Sequence, residues 1–362
     1  MTNAAELPTP CLLVYTDRVQ ENIGRMVRIA GAPERLRPHI KTHKLPEVVR
    51  LQRDAGVTKF KCATVAEAEM AAQEGASEVL LAYQPTGPNP SRLRKLSDLY
   101  PRTQFGAVVD DAGPVKALSD AFAGSMRPLD LFLDIDCGMH RTGIEPGAIA
   151  LELYRFIGSL NGVRPAGLHV YDGHIQDVDP AVRQARCVEA FEPIREFRAD
   201  LEKAGLPVRT MIAGGTPTFP MHALDPSVEC SPGTCILWDF GYGDKFLDMP
   251  FLCAALVMTR VVSKPGSNRL CLDLGHKAIA AENPHPRVRF LGLEQAEPLM
   301  HSEEHLVLDT PLASNYRIGD VLYGVPRHIC PTVALHSEAY AVENGVATSR
   351  WMVTARARVI SV

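Results

Sequence analysis

At 362 residues, 46% apolar and 22% charged, the chain has the makeup of a soluble globular protein, with room for a barrel-sized domain and a smaller one. A formal net charge of −4 gives no support to a nucleic-acid partner, and no apolar run approaches the ~20 residues that span a bilayer, so no membrane partner is expected either. Met1 to Glu6 lack the basic start and apolar core of a secretory signal, and nine scattered cysteines form no CxxC pair, which together point to reduced thiols and a cytoplasmic location.

In chain order, Thr9 to Tyr15 reads as a short strand, and Thr16 or Asp17 is placed to cap a helix behind it. Next comes Arg37-Pro38-His39-Ile40-Lys41-Thr42-His43-Lys44, which gathers two lysines, two histidines and an arginine. Pro38 confines Arg37 to extended geometry, and Pro46 is well placed to open a helix. The lysines therefore sit at a strand-to-helix passage, the carboxyl end of a strand where α/β active sites collect. Among other cations a lysine loses basicity and becomes suited to forming a Schiff base with an aldehyde. A solvated basic loop is the bland alternative.

Lys59 to Thr64 reads as the following strand, and further apolar runs recur at 79–82, 105–109, 129–134, 166–170 and 210–213. Helical patterns separate them, such as Val65 to Glu74 and Ala181 to Lys203. Short apolar strands alternating with helices predict a parallel sheet covered on both faces, and seven or eight such units predict a (β/α)8 TIM-like barrel. An open doubly wound sheet is the alternative, although the glycines form no dinucleotide fingerprint. After about Trp238 strand-like runs at 257–263, 269–273, 305–308 and 351–354 have little helix between them. The expected organisation is a barrel over 1–240 and a smaller, mostly β C-terminal domain over 241–362.

Several strand ends carry polar motifs. Ala213-Gly214-Gly215-Thr216-Pro217-Thr218 and Pro232-Gly233-Thr234 free the backbone to approach an anion and add hydroxyl donors, late in the barrel where phosphates are often held. Either alone reads as an ordinary turn; the two in this order favour phosphate. Leu133 to Gly143 contains Arg141, which could close a loop by an ion pair to Asp134 or Asp136. Gly167 to Gln176 contains His174, a general-base candidate or a satisfied structural histidine. Near the end, His328-Ile329-Cys330 in an extended segment would point both side chains to one face and suit a divalent metal, with the thiolate leaning toward zinc. Glu303 and Glu304 read as a solvated face, with His305 kept as a group near the metal segment.

The Arg37–Lys44 segment resembles the cofactor-lysine segment of the D-threonine aldolase and D-serine dehydratase family, pyridoxal 5'-phosphate (PLP) enzymes of alanine racemase fold type III. The likeness runs from about Thr9 to the end. It implies that Lys41 holds PLP, that Arg141 lies near the phenolic oxygen, and that Tyr171 lies against the ring or phosphate. It also implies that Gly214, Gly215, Thr216, Gly233 and Thr234 cradle the phosphate. His328 and Cys330 would take the divalent ion, zinc before manganese or magnesium, and the N-terminal segment would pack on the second domain. A homodimer is implied as well.

The implied activity is a lyase on D-β-hydroxy-α-amino acids, retro-aldol cleavage to glycine and aldehyde being placed first. Dehydration of D-serine or D-3-hydroxyaspartate to a 2-oxo acid and ammonia is the alternative. Cys330 and Thr42 look like the dehydratases, Gln176 like the aldolases, and Asp172 stands where aldolases tend to carry histidine. An amino-acid racemase, which should not need the metal pair, and a non-enzymatic PLP carrier, typically a barrel alone, are the remaining rivals.

Overall fold

A computed structural model describes residues 1–362, and its chain forms two compact units. One comprises 26–41, 49–233 and 357–362; the other comprises 1–25, 42–48 and 234–356. Strand β1 (Cys11–Tyr15) belongs to the latter. The former is built on β2 (Lys59–Cys62), β3 (Glu78–Leu81), β4 (Gln104–Val109), β5 (Leu129–Ile135), β6 (Val163–Val170), β7 (Thr210–Ala213) and β8 (Val228–Cys230). These seven pair in chain order, every ladder parallel.

Parallel neighbours need crossovers, which the helices Val65–Gln73, Asn89–Leu99, Ala112–Ala121, Ala148–Gly158 and Pro180–Lys203 supply. Their starts are chemically marked. The Thr64 hydroxyl accepts from Glu67 N–H while the Glu67 carboxylate accepts from Ala63 N–H, and Asp179 accepts from Ala181 N–H ahead of Pro180 in the first turn.

The eighth stave is the segment Leu36 to His39. Leu36 bridges Cys230 and His39 bridges Lys61, both parallel, so it joins β8 to β2 and completes the TIM-like barrel. Arg37 N–H donates to the Cys230 carbonyl and Lys61 N–H to that of Pro38, each at 2.9 Å. Pro38 has no N–H to give and holds Arg37 extended, which fits a stave too short to read as a regular strand.

Side chains facing into the barrel are layered. At the N-terminal ends of the strands, Arg37 is 2% exposed and bonds Glu78 at 2.6 Å and Glu229 at 2.8 Å, with Lys59 also on Glu229. Above lies an apolar waist of Leu80, Val108, Phe132, Ala166 and Ile212. The C-terminal ends carry polar residues again.

The second unit is a nine-stranded sheet of β1 with β9 (Ala255–Gly266), β10 (Arg269–Leu272), β11 (Val288–Phe290), β12 (Glu297–His301), β13 (Leu306–Asp309), β14 (Val321–Pro326), β15 (Glu338–Glu343) and β16 (Val346–Met352). The order is β12-β13-β10-β9-β1-β15-β16, with β14 on β9 and β11 on β14. N-terminal β1 lies at the centre, parallel to β15 and antiparallel to β9.

Removing the buried Arg37 guanidinium leaves Glu78 without its partner and Glu229 with Lys59 alone. Arg37→Ala is therefore expected to lower stability by about 3–5 kcal/mol, read as a fall in the urea midpoint. Truncating Lys116, which is exposed and pairs only along its own helix, should leave that midpoint where it is.

Candidate active site

Lys41 lies in a single 3-10 turn, Ile40–Thr42, between the eighth stave and the helix Pro46–Asp54, and its side chain is exposed. The strand-to-helix passage expected from sequence is present, but the cluster of cations is not. Arg37 is neutralised at the opposite end of the barrel. His43 is fully buried and accepts from Leu45 N–H, and burial pushes it down to about 3, so it is uncharged.

The two glycine motifs come together. The Thr216 hydroxyl accepts from Gly233 N–H at 3.1 Å, joining the loop after β7 to the loop after β8. Gly214 has φ +78°, and a Cβ there would stand 2.5 Å from His222 Cδ2. At Gly215 a Cβ would press to 3.0 Å from the Tyr171 ring. Beneath the loop, fully buried Asp172 accepts from the Thr218 hydroxyl at 2.8 Å and pairs with His222 Nε2 at 2.6 Å. Thr218 in turn accepts from Gly215 N–H. The cradle is thus fastened from below by a carboxylate that sequence reading noted only as a departure from the aldolases. Thr234 follows Gly233 in the chain, and its hydroxyl lies 3.6 Å from Cys330 Sγ.

Arg141 and Tyr171 meet, with the guanidinium carbon 4.8 Å from the ring centroid. The ion pair weighed for Arg141 is absent because its two candidate partners are engaged elsewhere. Asp136 binds His140 Nδ1 at 2.8 Å and also accepts from Gly138 N–H, and Asp134 binds His169. His174 is half-buried in the turn after β6, packed on Gly138 so that a Cβ there would sit 3.3 Å from Nε2. Its Nδ1 is buried without a hydrogen-bond partner. Gln176 is exposed and bonds its own turn at Gly173.

Sequence reading missed the groups at the top of the barrel. Asp134 Oδ1 lies 2.6 Å from His169 Nδ1, and His169 Nε2 lies 3.4 Å from Lys61 Nζ. All three are buried. Burial first, then the charge of Lys41, pulls the Lys61 ammonium down to about 7 against the pull of Asp134 and Asp172. Burial also lowers His169, while Asp134 stays below the usual carboxylate range because His169 outweighs its desolvation. Alternation along β2, β5 and β6 could have suggested that these residues face inward; only the register brings them together.

In the second unit His328 and Cys330 are adjacent, though not for the reason read from sequence. β14 ends at Pro326, His328 precedes the helix Ile329–Leu335, and Cys330 lies in its first turn. A helix start, rather than a strand period, sets the pair. Asp239 accepts from Ile329 N–H at 3.0 Å, and the Thr332 hydroxyl donates to the His328 carbonyl at 2.8 Å.

Glu282 lies 2.5 Å from His328 Nδ1, Cys330 hydrogen-bonds the same imidazole, and Cys330 Sγ lies 3.3 Å from the Thr42 hydroxyl. Burial would lower His328, but the hydrogen bond and charge of Cys330, with Glu282 behind them, raise it to about 9. An imidazole nitrogen and a thiol, with the other ring nitrogen fixed by a carboxylate, form a donor set suited to zinc. Glu303 and Glu304 pair with Lys277 at the surface and His305 is exposed, as a solvated face requires.

Residues 14–239 match the family model described as alanine racemase, N-terminal domain, and residues 254–342 match that described as putative serine dehydratase domain. The chain is 29% identical to a D-threonine aldolase from an Arthrobacter species, over 97% of this chain and 93% of that protein. It is 30% identical to a D-threo-3-hydroxyaspartate dehydratase from Delftia sp. strain HT23, over 94% of this chain and 96% of that protein. A crystal structure of D-threonine aldolase from Filomicrobium marinum superposes with a TM-score of 0.88 at 29% identity, covering 99% of this chain and 98% of that one.

Because Glu282 orients the imidazole through Nδ1, Glu282→Ala should weaken the affinity for added zinc by about 10- to 100-fold. Competition with a chromogenic chelator measures this, and His328→Ala should abolish the site altogether.

Proposed function

We infer that this chain, which belongs to the alanine racemase N-terminal domain family and continues into a serine dehydratase domain, is a PLP- and divalent-metal-dependent lyase acting on D-β-hydroxy-α-amino acids. Retro-aldol cleavage to glycine and an aldehyde is its main reaction. The observation that carries this reading is the His328–Cys330 pair with Glu282 on Nδ1. A racemase acting only at Cα has no use for such a donor set, and a PLP carrier made of a barrel alone would lack the unit that holds it.

The residues fit both groups. Lys41 offers an exposed primary amine at the rim of the barrel, and the Gly214–Thr216 and Gly233 backbone offers a cradle whose glycines could not carry side chains without displacing His222 or Tyr171. Thr234 would complete the cradle. PLP supplies an electron sink for the bond that breaks at Cα, and zinc, or manganese or magnesium in its place, supplies a Lewis acid for the β-hydroxyl.

The chain's own residues do the rest. Tyr171, wedged beside Gly215, and Arg141 over its face hold the ring site rigid. Asp172 keeps the cradle loop in place. His174, half-buried in the turn after β6, is the group to take the hydroxyl proton.

Dehydration to a 2-oxo acid is the second reading, favoured by the Cys330 thiol and its bond to Thr42 and by the kinship with a dehydratase. The resemblance seen in the sequence implies a homodimer, and nine cysteines without a disulfide among them favour a reducing compartment such as the cytoplasm. Purified protein supplied with PLP and zinc should convert D-threonine to glycine and acetaldehyde, with activity lost on chelation and restored by metal. Formation of 2-oxo acid and ammonia instead would assign the dehydratase reaction. Lys41→Ala should remove the visible absorbance of bound PLP; retention of that absorbance would sink the assignment of Lys41.

A further inference from the structure

A lysine inside a barrel needs a reason, because its ammonium gives up hydration that a neutral side chain would not have to. Lys61 is 2% exposed, on a strand whose neighbours in register are His39 and Leu80. Its only close polar side-chain contact is His169 Nε2 at 3.4 Å, and His169 is itself fixed through Nδ1 on Asp134 at 2.6 Å. The carboxylate claims the Nδ1 proton, so Nε2 is left as an acceptor aimed at Lys61. The trio therefore presents an ammonium rather than quenching it. That ammonium lies 5.8 Å from the centroid of the Tyr171 ring, the same ring that Arg141 covers at 4.8 Å. Two cations, one from β2 and one from the loop after β5, thus converge on one residue of the ring site.

We propose that Lys61, held by His169 and Asp134, is a further cofactor-binding group whose ammonium gives the barrel mouth a positive charge favouring an anionic ligand. This rests on the PLP reading above, since a phosphate and a phenolate make that cofactor strongly anionic. The groups facing Lys61 are Lys41 from the turn after the eighth stave, Asp134 from β5, Arg141 from the loop behind it, His169 from β6, and Tyr171 and Asp172 from the loop that follows β6. His39 is its neighbour on the stave. Burial and Lys41 bring the ammonium down to about 7, so the free protein loses this charge as pH rises through neutrality.

The sign follows by linkage. A bound anion favours protonated Lys61, so its contribution to affinity is complete below pH 7 and fades as pH rises above that value. The titration of PLP itself is common to all variants and cancels in their ratio.

The experiment is a fluorescence titration of metal-free apoprotein with PLP at pH 6, 7, 8 and 9, for wild type, Lys61→Met and Lys61→Gln. Methionine matches the stem without the charge, and glutamine keeps a donor to His169. We expect wild type to bind about tenfold or more tightly than either variant at pH 6, with the ratio falling towards one by pH 9. Equal affinities throughout, or a deficit that does not change with pH, would overturn the proposal. So would failure of both variants to accumulate as folded protein, which would make the trio a packing element. Should wild type bind no PLP at all, the functional reading falls and this inference with it; binding with no pH-dependent ratio removes this inference alone.

Discussion

Closure of the barrel by a stave of four residues is the constraint from which the site follows. Leu36 to His39 has to satisfy β8 on one side and β2 on the other with very few hydrogen bonds, so its register is fixed mainly by side chains. Arg37 does this. Its guanidinium reaches two carboxylates on opposite flanks of the stave, Glu78 and Glu229, and a slip of one residue would turn it out of the barrel and strand both. With Arg37 anchored at the N-terminal ends of the strands, chain direction alone delivers Lys41 to the opposite rim. The ion pair need not contribute net stability relative to an apolar filling, but it specifies one register among several.

The same logic recurs where the cradle is built. Gly214 and Gly215 can approach an anion because they lack side chains, and that freedom would leave the loop undefined if nothing else held it. Asp172 removes the ambiguity by binding both the Thr218 hydroxyl and His222, one on each side of the turn. Its neighbour Tyr171 fills the space beside Gly215. Consecutive residues of a strand end therefore point opposite ways, one supporting the loop from within and the other shaping the surface above it.

What could be read from the sequence was whatever depends on neighbours along the chain. The apolar runs at 105–109, 129–134 and 210–213 are strands because parallel strands are buried on both faces, and Thr64 and Asp179 mark helix starts by local hydrogen bonding. Strands without such a signature escaped. β12 is largely exposed and holds a proline, and β8 has three residues. The basic octet misled in one respect, since spacing cannot show that Arg37 and His43 turn inward and lose their charge or have it cancelled. The Lys61–His169–Asp134 trio was illegible for a stronger reason. Its members lie 108 and 35 residues apart, and only the closed sheet makes them neighbours.

His328 and Cys330 are brought together by a geometry other than the one expected from sequence. A strand period and a helix start both allow residues i and i+2 to approach, but they set the side chains differently and need different supports. Here the support is for a helix start. Asp239 binds the Ile329 N–H, which has no partner inside the helix, and Thr332 reaches back to the His328 carbonyl while accepting from Ala280 N–H. Through Ala280 the same contacts hold the loop that carries Glu282, so the carboxylate and the imidazole it orients are positioned by one network. The sulfur at position 330 in turn lies 3.3 Å from the Thr42 hydroxyl and 3.6 Å from that of Thr234, so it is tied to this frame as well as placed for chemistry. An aspartate there would offer a harder oxygen donor, but it would have to remake both of those contacts.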